Sequence, residues 1–199
     1  MEMPKMESQK EQLEALKVSC LECRKCSIGG QMIDGKFLSN VFSNMNLAKI
    51  MVLGQNPGSD EIKQGEPFVG TSGKLFDKAL LEIVGLKRSD LYVSNSIRCY
   101  TFGNRKPFQQ EEENCRYFLD KEIEIIKPKI IIALGSVAFK QLTKMIGIMK
   151  YHGKVFTSIR YKVPVMPILH PSPLNTNNPE RREGFYDDFK KLKEFLNGR

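Results

Sequence analysis

Apolar residues along the chain fall into two alternating patterns. Four short runs, Ala48–Leu53, Leu91–Ser96, Ile130–Leu134 and Val163–Leu169, are almost continuously aliphatic or β-branched, and each ends on Gly, Asn or His-Pro. Such runs read as strands buried on both faces and stopped by turns. Between them, Leu75, Phe76, Ala79, Leu80 and Ile83 recur at three- and four-residue spacing. Phe118, Leu119, Ile123 and Ile126 do the same, and so do Phe185, Phe189, Leu192 and Leu196. That spacing lays each set along one face of a helix. Strands alternating with helices build parallel β-α-β units, which predicts a three-layer α/β/α sandwich around a central four-stranded parallel sheet. Residues 8–19 read as a further helix ahead of the first strand. No repeat, low-complexity tract or linker interrupts the pattern, and 199 residues suit one core, so a single domain over 1–199 is expected.

Open parallel sheets bind ligands beyond the carboxyl ends of their strands. Here those exits read GQNPG (54–58), Asn95 with Ser96, LGS (134–136) and HPSPL (170–174). Gly54, Pro57 and Gly58 make a tight turn that presents backbone N–H groups, Gln55 and Asn56 above the sheet. Phe68, in the loop PFVG, is placed either to stack on a planar ligand or to plug the core. Asn95 carries a donor and an acceptor on one amide, which matches the edge of a uracil-type base, although an Asn also closes turns. Arg98, Arg105 and Lys106 interleave with Tyr100 and Phe102, a composition suited to backbone phosphates. His170 closes the fourth strand, Ser172 and Pro173 stiffen the following turn, and Leu174 is an apolar tip. A tip of that kind either tucks into the surface or wedges into a base stack. The second histidine, His152, sits in a loop-like YHGK and reads as an ordinary surface residue. Neither GxxxxGK[ST] nor GxGxxG occurs, which disfavours a phosphate-cradling nucleotide site.

Charge and cysteine placement sharpen this picture. Lys and Arg number 31 against 23 Asp and Glu, a formal +8, which favours a polyanionic partner. No stretch approaches the ~18 uninterrupted apolar residues of a membrane span, and the polar N-terminus lacks signal-peptide character. A soluble intracellular protein with no membrane partner is therefore expected. Of five cysteines, Cys20, Cys23 and Cys26 lie within seven residues, and Cys99 and Cys115 flank a central loop. Cys23-x-x-Cys26 is half of a four-thiolate metal site, whose remaining ligands must come from Cys99, Cys115 or Cys20. Buried free thiols are the plain alternative.

Taken together, the segments GQNPG…GEPFVGTSGKLFD, YVSNSIRCYTFGNRKP with Cys115 following, IIALGSVA and LHPSPL resemble the uracil-DNA glycosylase superfamily. They are most similar to its iron–sulfur-containing family-four branch, over roughly residues 20–175. The resemblance implies a [4Fe–4S] cluster on Cys23, Cys26, Cys99 and Cys115, with the N-terminal helix and cysteine segment (about 8–26) delivering the first two. Cys20 stands outside the set, though it could exchange with Cys23. The resemblance also implies hydrolytic removal of uracil from DNA. Phe68 would stack on the flipped base, Asn95 would read its edge, and Gly54 and Gln55 would line the pocket. His170 would donate to uracil O2, where negative charge collects. Ser172 would contact a phosphate, Leu174 would be the wedge, and Arg105 and Lys106 would contact the DNA backbone.

Motif one departs from the family pattern. Where family four has GEAPG and family one GQDPY, this chain carries two neutral amides, Gln55 and Asn56. The string is similar to the mismatch-specific and single-strand-selective branches, in which the motif-one Asn positions the attacking water. Asn56 can orient water but cannot act as a strong general base, which leaves room for help from Asp60 or Glu61. Gly58 stands where family one has a Tyr that screens out thymine. No lysine occupies a matching position, so a monofunctional glycosylase leaving an abasic site in base excision repair is expected. It would act as a monomer on double- or single-stranded DNA in a cytoplasmic, nucleoid-associated setting. The rivals are excision of hypoxanthine, xanthine or G-paired thymine on the same fold, a non-catalytic cluster- or zinc-bearing nucleic-acid module, and an electron-transfer protein.

Overall fold

The computed structural model describes residues 8–29, 32–33, 36–37 and 41–198. The first helix, α1 (Gln9–Leu21), starts at a reciprocal cap: the Ser8 hydroxyl accepts from the Glu11 N–H while the Glu11 carboxylate accepts from the Ser8 N–H. Two orphan amide donors are thereby satisfied. Its buried stripe, Leu13, Leu16 and Cys20, follows helical spacing and packs toward α4 (Gln109–Ile126). A two-residue hairpin, β1 (Met32–Ile33) with β2 (Lys36–Phe37), follows α1. No apolar periodicity announces so short a pair.

The central sheet contains all four predicted strands: β3 (Ile50–Gly54), β4 (Leu91–Asn95), β5 (Ile130–Leu134) and β7 (Pro164–Ile168). They run parallel in the order β4-β3-β5-β7. A fifth strand, β6 (Phe156–Thr157), adds antiparallel to the β7 edge. Sequence patterning misses it because two residues carry no period. Pro164 and Pro167 leave β7 with fewer N–H donors, and the β6 ladder ends after two pairs.

Alternation within the strands sorts side chains between two cores. Met51, Leu53, Tyr92, Ile131 and Ala133 face α1, α4 and α5 (Ser136–Thr143), packing with Phe118, Leu119, Phe139 and Leu142. Val52, Val93, Ile130, Ile132 and Leu134 face α3 (Thr71–Ala79) and α7 (Pro179–Asn197), packing with Phe76, Phe185, Phe189 and Leu192. Both faces are apolar because both are covered by helices. Each fully buried large side chain contributes about 1.5–3 kcal/mol to this three-layer packing. Register then sets the working edge: Gly54 pairs with Asn95 and Leu134 with Ile168, so all four carboxyl ends finish on one edge. Among the described residues no helix is long and apolar enough to cross a membrane.

Candidate functional site

The sheet edge brings Gly54, Phe68 and Asn95 into one place. A Cβ at Gly54 would lie 2.4 Å from the Phe68 ring tip and 2.5 Å from Asn95 Oδ1. Only glycine allows the ring and the amide to meet over the end of β3. Asn95 is 2% exposed, yet its Nδ2 has no hydrogen-bond partner among the described residues. A buried unpaired donor is costly, on the order of 1–3 kcal/mol, and calls for an acceptor from outside.

Phe68 is held there against its own backbone preference. Its φ is +59°, a left-handed conformation that costs a non-glycine residue about 1 kcal/mol or more. Arg88 fixes it, donating to the Pro67 and Phe68 carbonyls while pairing with both oxygens of Asp77. Gly73 completes the clamp, since a Cβ there would overlap the Phe68 carbonyl at 1.8 Å. Glu61 ties the same loop to motif one, accepting from the Gly58 N–H at 2.9 Å and the Gly70 N–H at 2.8 Å. Its carboxylate is therefore a staple between α2 (Ser59–Gln64) and the Phe68 loop.

The motif-one amides engage a second loop. Gln55 Nε2 donates to Asn56 Oδ1 at 2.8 Å and to the Arg105 carbonyl at 3.2 Å. Asn56 Nδ2 donates to the Pro57 carbonyl at 2.8 Å and, more weakly, to Asn104 Oδ1 at 3.4 Å. Asn56 Oδ1 retains one acceptor position, because a carbonyl oxygen has two. Arg105, expected to suit a backbone phosphate, already has partners within the fold. It forms a two-pronged pair with Glu111 at 2.7 and 2.8 Å and stacks over Phe108 with its guanidinium carbon 4.0 Å from the ring centre. Its partner sits six residues away across a helix start, where a local charge count does not reveal pairing. Lys106 is exposed, with no salt bridge to another described residue, and Phe102 on the same loop is 78% exposed.

His170 stands at the neighbouring exit. Its Cβ would be 3.3 Å from a Cβ at Gly135, whose φ of +90° makes room for the ring beside the start of α5. Burial pushes the His170 pKa down to about 4, with the Glu61 charge opposing only in part; the imidazole is neutral at physiological pH. Asn175 Nδ2 donates to the His170 carbonyl at 2.7 Å. The Ser172 carbonyl accepts from the Asn175 and Thr176 N–H groups at 2.9 Å each, so the turn is internally braced. Leu174 falls by its backbone in the short helix α6 (Pro173–Thr176); its side chain lies outside the described residues.

His152 corrects its sequence reading. It is only 20% exposed and its Nδ1 lies 2.7 Å from Asp188 Oδ1. Sequence alone gave no sign of this, because Asp188 is 36 residues away on α7. Arg88 and Asn175 were likewise missed, since each acts through backbone groups that no motif names, and Glu61, considered as an aid to Asn56, is instead engaged by the Gly58 and Gly70 N–H groups.

At the other end of the segment leaving Asn95 lie the cysteines. Cys20, Cys99 and Cys115 are buried, and Cys23 and Cys26 partly so. Cys99 and Cys115 pack with Ile28 and Ile97, with Cys26 against them, while Cys23 lies against the core that holds Cys20. Burial pushes the Cys20 thiol up to about 12 and raises Cys99 and Cys115 as well, and the thiols disfavour one another's ionisation. Among the described residues, no three Cys, His, Asp or Glu side chains are arranged around a single metal ion. Beside the cysteines is Arg98, 1% exposed and paired with Glu122, itself fully buried. Arg98 also donates to Ser94 Oγ at 2.8 Å, and Ser94 donates on to Glu122 at 3.0 Å. The Arg98 Nε has no partner among the described residues.

Comparison with known proteins agrees with this geometry. Residues 42–194 match the family described as the Uracil DNA glycosylase superfamily. A type-4 uracil-DNA glycosylase of Saccharolobus solfataricus is 37% identical over 187 residues, covering 89% of this chain and 83% of that protein. One from Sulfurisphaera tokodaii is 35% identical over 192 residues, covering 92% and 84%. One from Archaeoglobus fulgidus is 34% identical over 191 residues, covering 92% and 93%.

Proposed function

This chain belongs to the uracil-DNA glycosylase superfamily, in its type-4 branch, and we propose that it hydrolyses the N-glycosidic bond of uracil in DNA, leaving an abasic site for base excision repair. The observation that carries this reading is the meeting of the Phe68 ring and the Asn95 amide at Gly54, with Asn95 Nδ2 buried and unpaired. A uracil turned out of the helix supplies what that donor lacks: its O4 accepts from Nδ2, its N3–H donates to Oδ1, and its face lies on Phe68. Gly54 and Gln55 line the pocket floor.

Cleavage places negative charge on the departing base, and His170 is the group suited to meet it. A neutral imidazole keeps one N–H to donate, and a donor aimed at developing charge inside a water-poor site is worth more than in bulk water. Asn56 holds the attacking water through the free acceptor position of its Oδ1. Lys106 and Ser172 contact phosphates, and Leu174 fills the gap left by the extruded base. Glu61, occupied by two backbone donors, leaves Asn56 without a carboxylate partner from that position.

Cys23, Cys26, Cys99 and Cys115 would hold a [4Fe–4S] cluster, which supplies a cross-link between the N-terminal segment and the loop after Asn95. What supports this reading is the chemistry of the donors: the thiols come from three segments, Cys99 and Cys115 are buried and Cys23 and Cys26 partly so, and the buried Arg98 charge bears on Cys115. The protein acts as a monomer on cytoplasmic, nucleoid-associated DNA. Incubating it with a uracil-containing oligonucleotide and then alkali tests the reading. A break at the uracil position only after alkali is expected; an intact strand would leave only nucleic-acid binding, and a break before alkali would contradict the monofunctional route.

A further inference from the structure

The residue before the histidine that the proposed reaction relies on is held by a buried carboxylate of α7. Asp188, on the 19-residue helix α7, is fully buried. Its Oδ2 accepts the Leu169 N–H at 3.0 Å, the last backbone donor before His170. Leu169 lies one residue past the β5–β7 ladder, which ends at Ile168, so without Asp188 this N–H would be an orphan. The other oxygen, Oδ1, is met by His152 Nδ1 at 2.7 Å. The turn carrying His152 is fastened to the same strand, because the Gly153 N–H donates to the Pro167 carbonyl at 2.8 Å.

Glycines allow this close packing. A Cβ at Gly153, whose φ is +70°, would stand 2.7 Å from both Asp188 Oδ1 and Lys191 Cδ. One at Gly184 would stand 3.1 Å from the Leu169 side chain and 3.2 Å from the His152 ring. Three segments therefore converge on one carboxylate: the 148–153 turn, the exit of β7 and α7. His170 is then gripped on both sides, by Asp188 through the preceding N–H and by Asn175 through its own carbonyl, with its ring against Gly135.

We propose that Asp188, capped by His152, is a positioning residue that sets His170 against the departing base. This rests on the reading of His170 as the leaving-group donor. A carboxylate is suited to the task because both oxygens accept, one for each donor. An amide keeps one acceptor for the Leu169 N–H, but its NH2 is met at His152 Nδ1 only through the other ring tautomer, so Asp188→Asn loses the charge-assisted pair and forces His152 out of its Nδ1–H form at nearly constant volume. His170 does its work only at hydrogen-bond range, where a shift of about 1 Å can cost on the order of 10²-fold in rate.

The test is a double-mutant cycle read by single-turnover excision at saturating enzyme. Affinity for an oligonucleotide carrying a non-cleavable abasic-site analogue is measured alongside. Asp188→Asn is expected to slow excision about 10- to 100-fold with affinity for the analogue retained. In a His170→Ala background the same substitution should cause no further slowing. His152→Gln, which leaves the Asp188–Leu169 contact in place, should show a smaller loss that also vanishes in that background, and it decides the question if Asp188→Asn does not fold. An equal slowing in both backgrounds, or a fall in affinity matching the fall in rate, would overturn the positioning role while leaving His170's own role intact. A His170→Ala enzyme as fast as the native one would bring down both.

Discussion

Burial holds His170 at a pKa of about 4, against an ordinary value of 6.5, and this has two consequences with the same sign. Because the folded state disfavours the proton, the stability carried by the neutral ring is full above about pH 6.5 and drains away as pH falls toward 4. The ring stays neutral down to about pH 5, so in its proposed role as leaving-group donor His170 should give single-turnover excision no acid limb above that pH. A limb centred near 6.5 that disappears in His170→Ala would mean the ring is solvated instead. Gly54 is the other residue whose role is settled by distance. Its hydrogen is all that fits between Phe68 and Asn95, so Gly54→Ala should push the ring off the amide and abolish uracil excision while leaving the melting temperature close to native. The placement of Asn95, Phe68 and His170 at the sheet edge was legible in the sequence because each follows a strand end or a Gly/Pro turn. Arg105 and His152 were not, because their character depends on Glu111 and Asp188, and the sequence shows charges without showing pairs.

Among the elements, the buried strands were legible to within two residues because continuous aliphatic runs have few other uses. What patterning could not supply was the bracing between loops. Glu61 is the example: in the sequence it is one of several acids after GQNPG, and in the fold it bridges the Gly58 and Gly70 amides. Phe68 needs that bridge, since its left-handed backbone is a strained conformation that the surroundings must over-determine. Glu61→Ala leaves two loop N–H groups without their acceptor and frees the Phe68 loop. Uracil excision and affinity for uracil-containing DNA should therefore both fall. Glu61→Gln, which keeps one acceptor, should fall between native and Ala in a titration of binding. If Glu61→Ala instead bound normally and lost only the chemical step, the carboxylate would be acting on the water rather than on the loop.

Across the whole molecule, the cysteine end and the base-reading end are joined by the five residues from Asn95 to Cys99. Within that span Arg98 turns back to Ser94 and Glu122. A buried ion pair is weak evidence for stability in itself: losing one partner typically costs about 3–5 kcal/mol, whereas replacing both by apolar residues is often neutral. Arg98 has a second set of neighbours, though, since its charge is felt by Cys20 and Cys115 and its Nε is unpaired among the described residues. The proposed cluster, with four thiolates around a core of +2, would carry a net charge of about −2, and Arg98 would be the buried cation available to offset it. The two roles separate experimentally. Arg98→Met should destabilise the fold by leaving the buried Glu122 without its cation, with only hydroxyl donors such as Ser94, and the pair Arg98→Met with Glu122→Leu should recover most of the melting temperature. If Arg98 also serves the cluster, the recovered double variant will still lose iron and its brown absorbance near ~400 nm faster than the native protein under a chelator. Iron held as firmly as in the native protein, at about four per chain, would confine Arg98 to its pairing with Glu122 and leave the cluster's charge to be balanced by solvent and backbone dipoles.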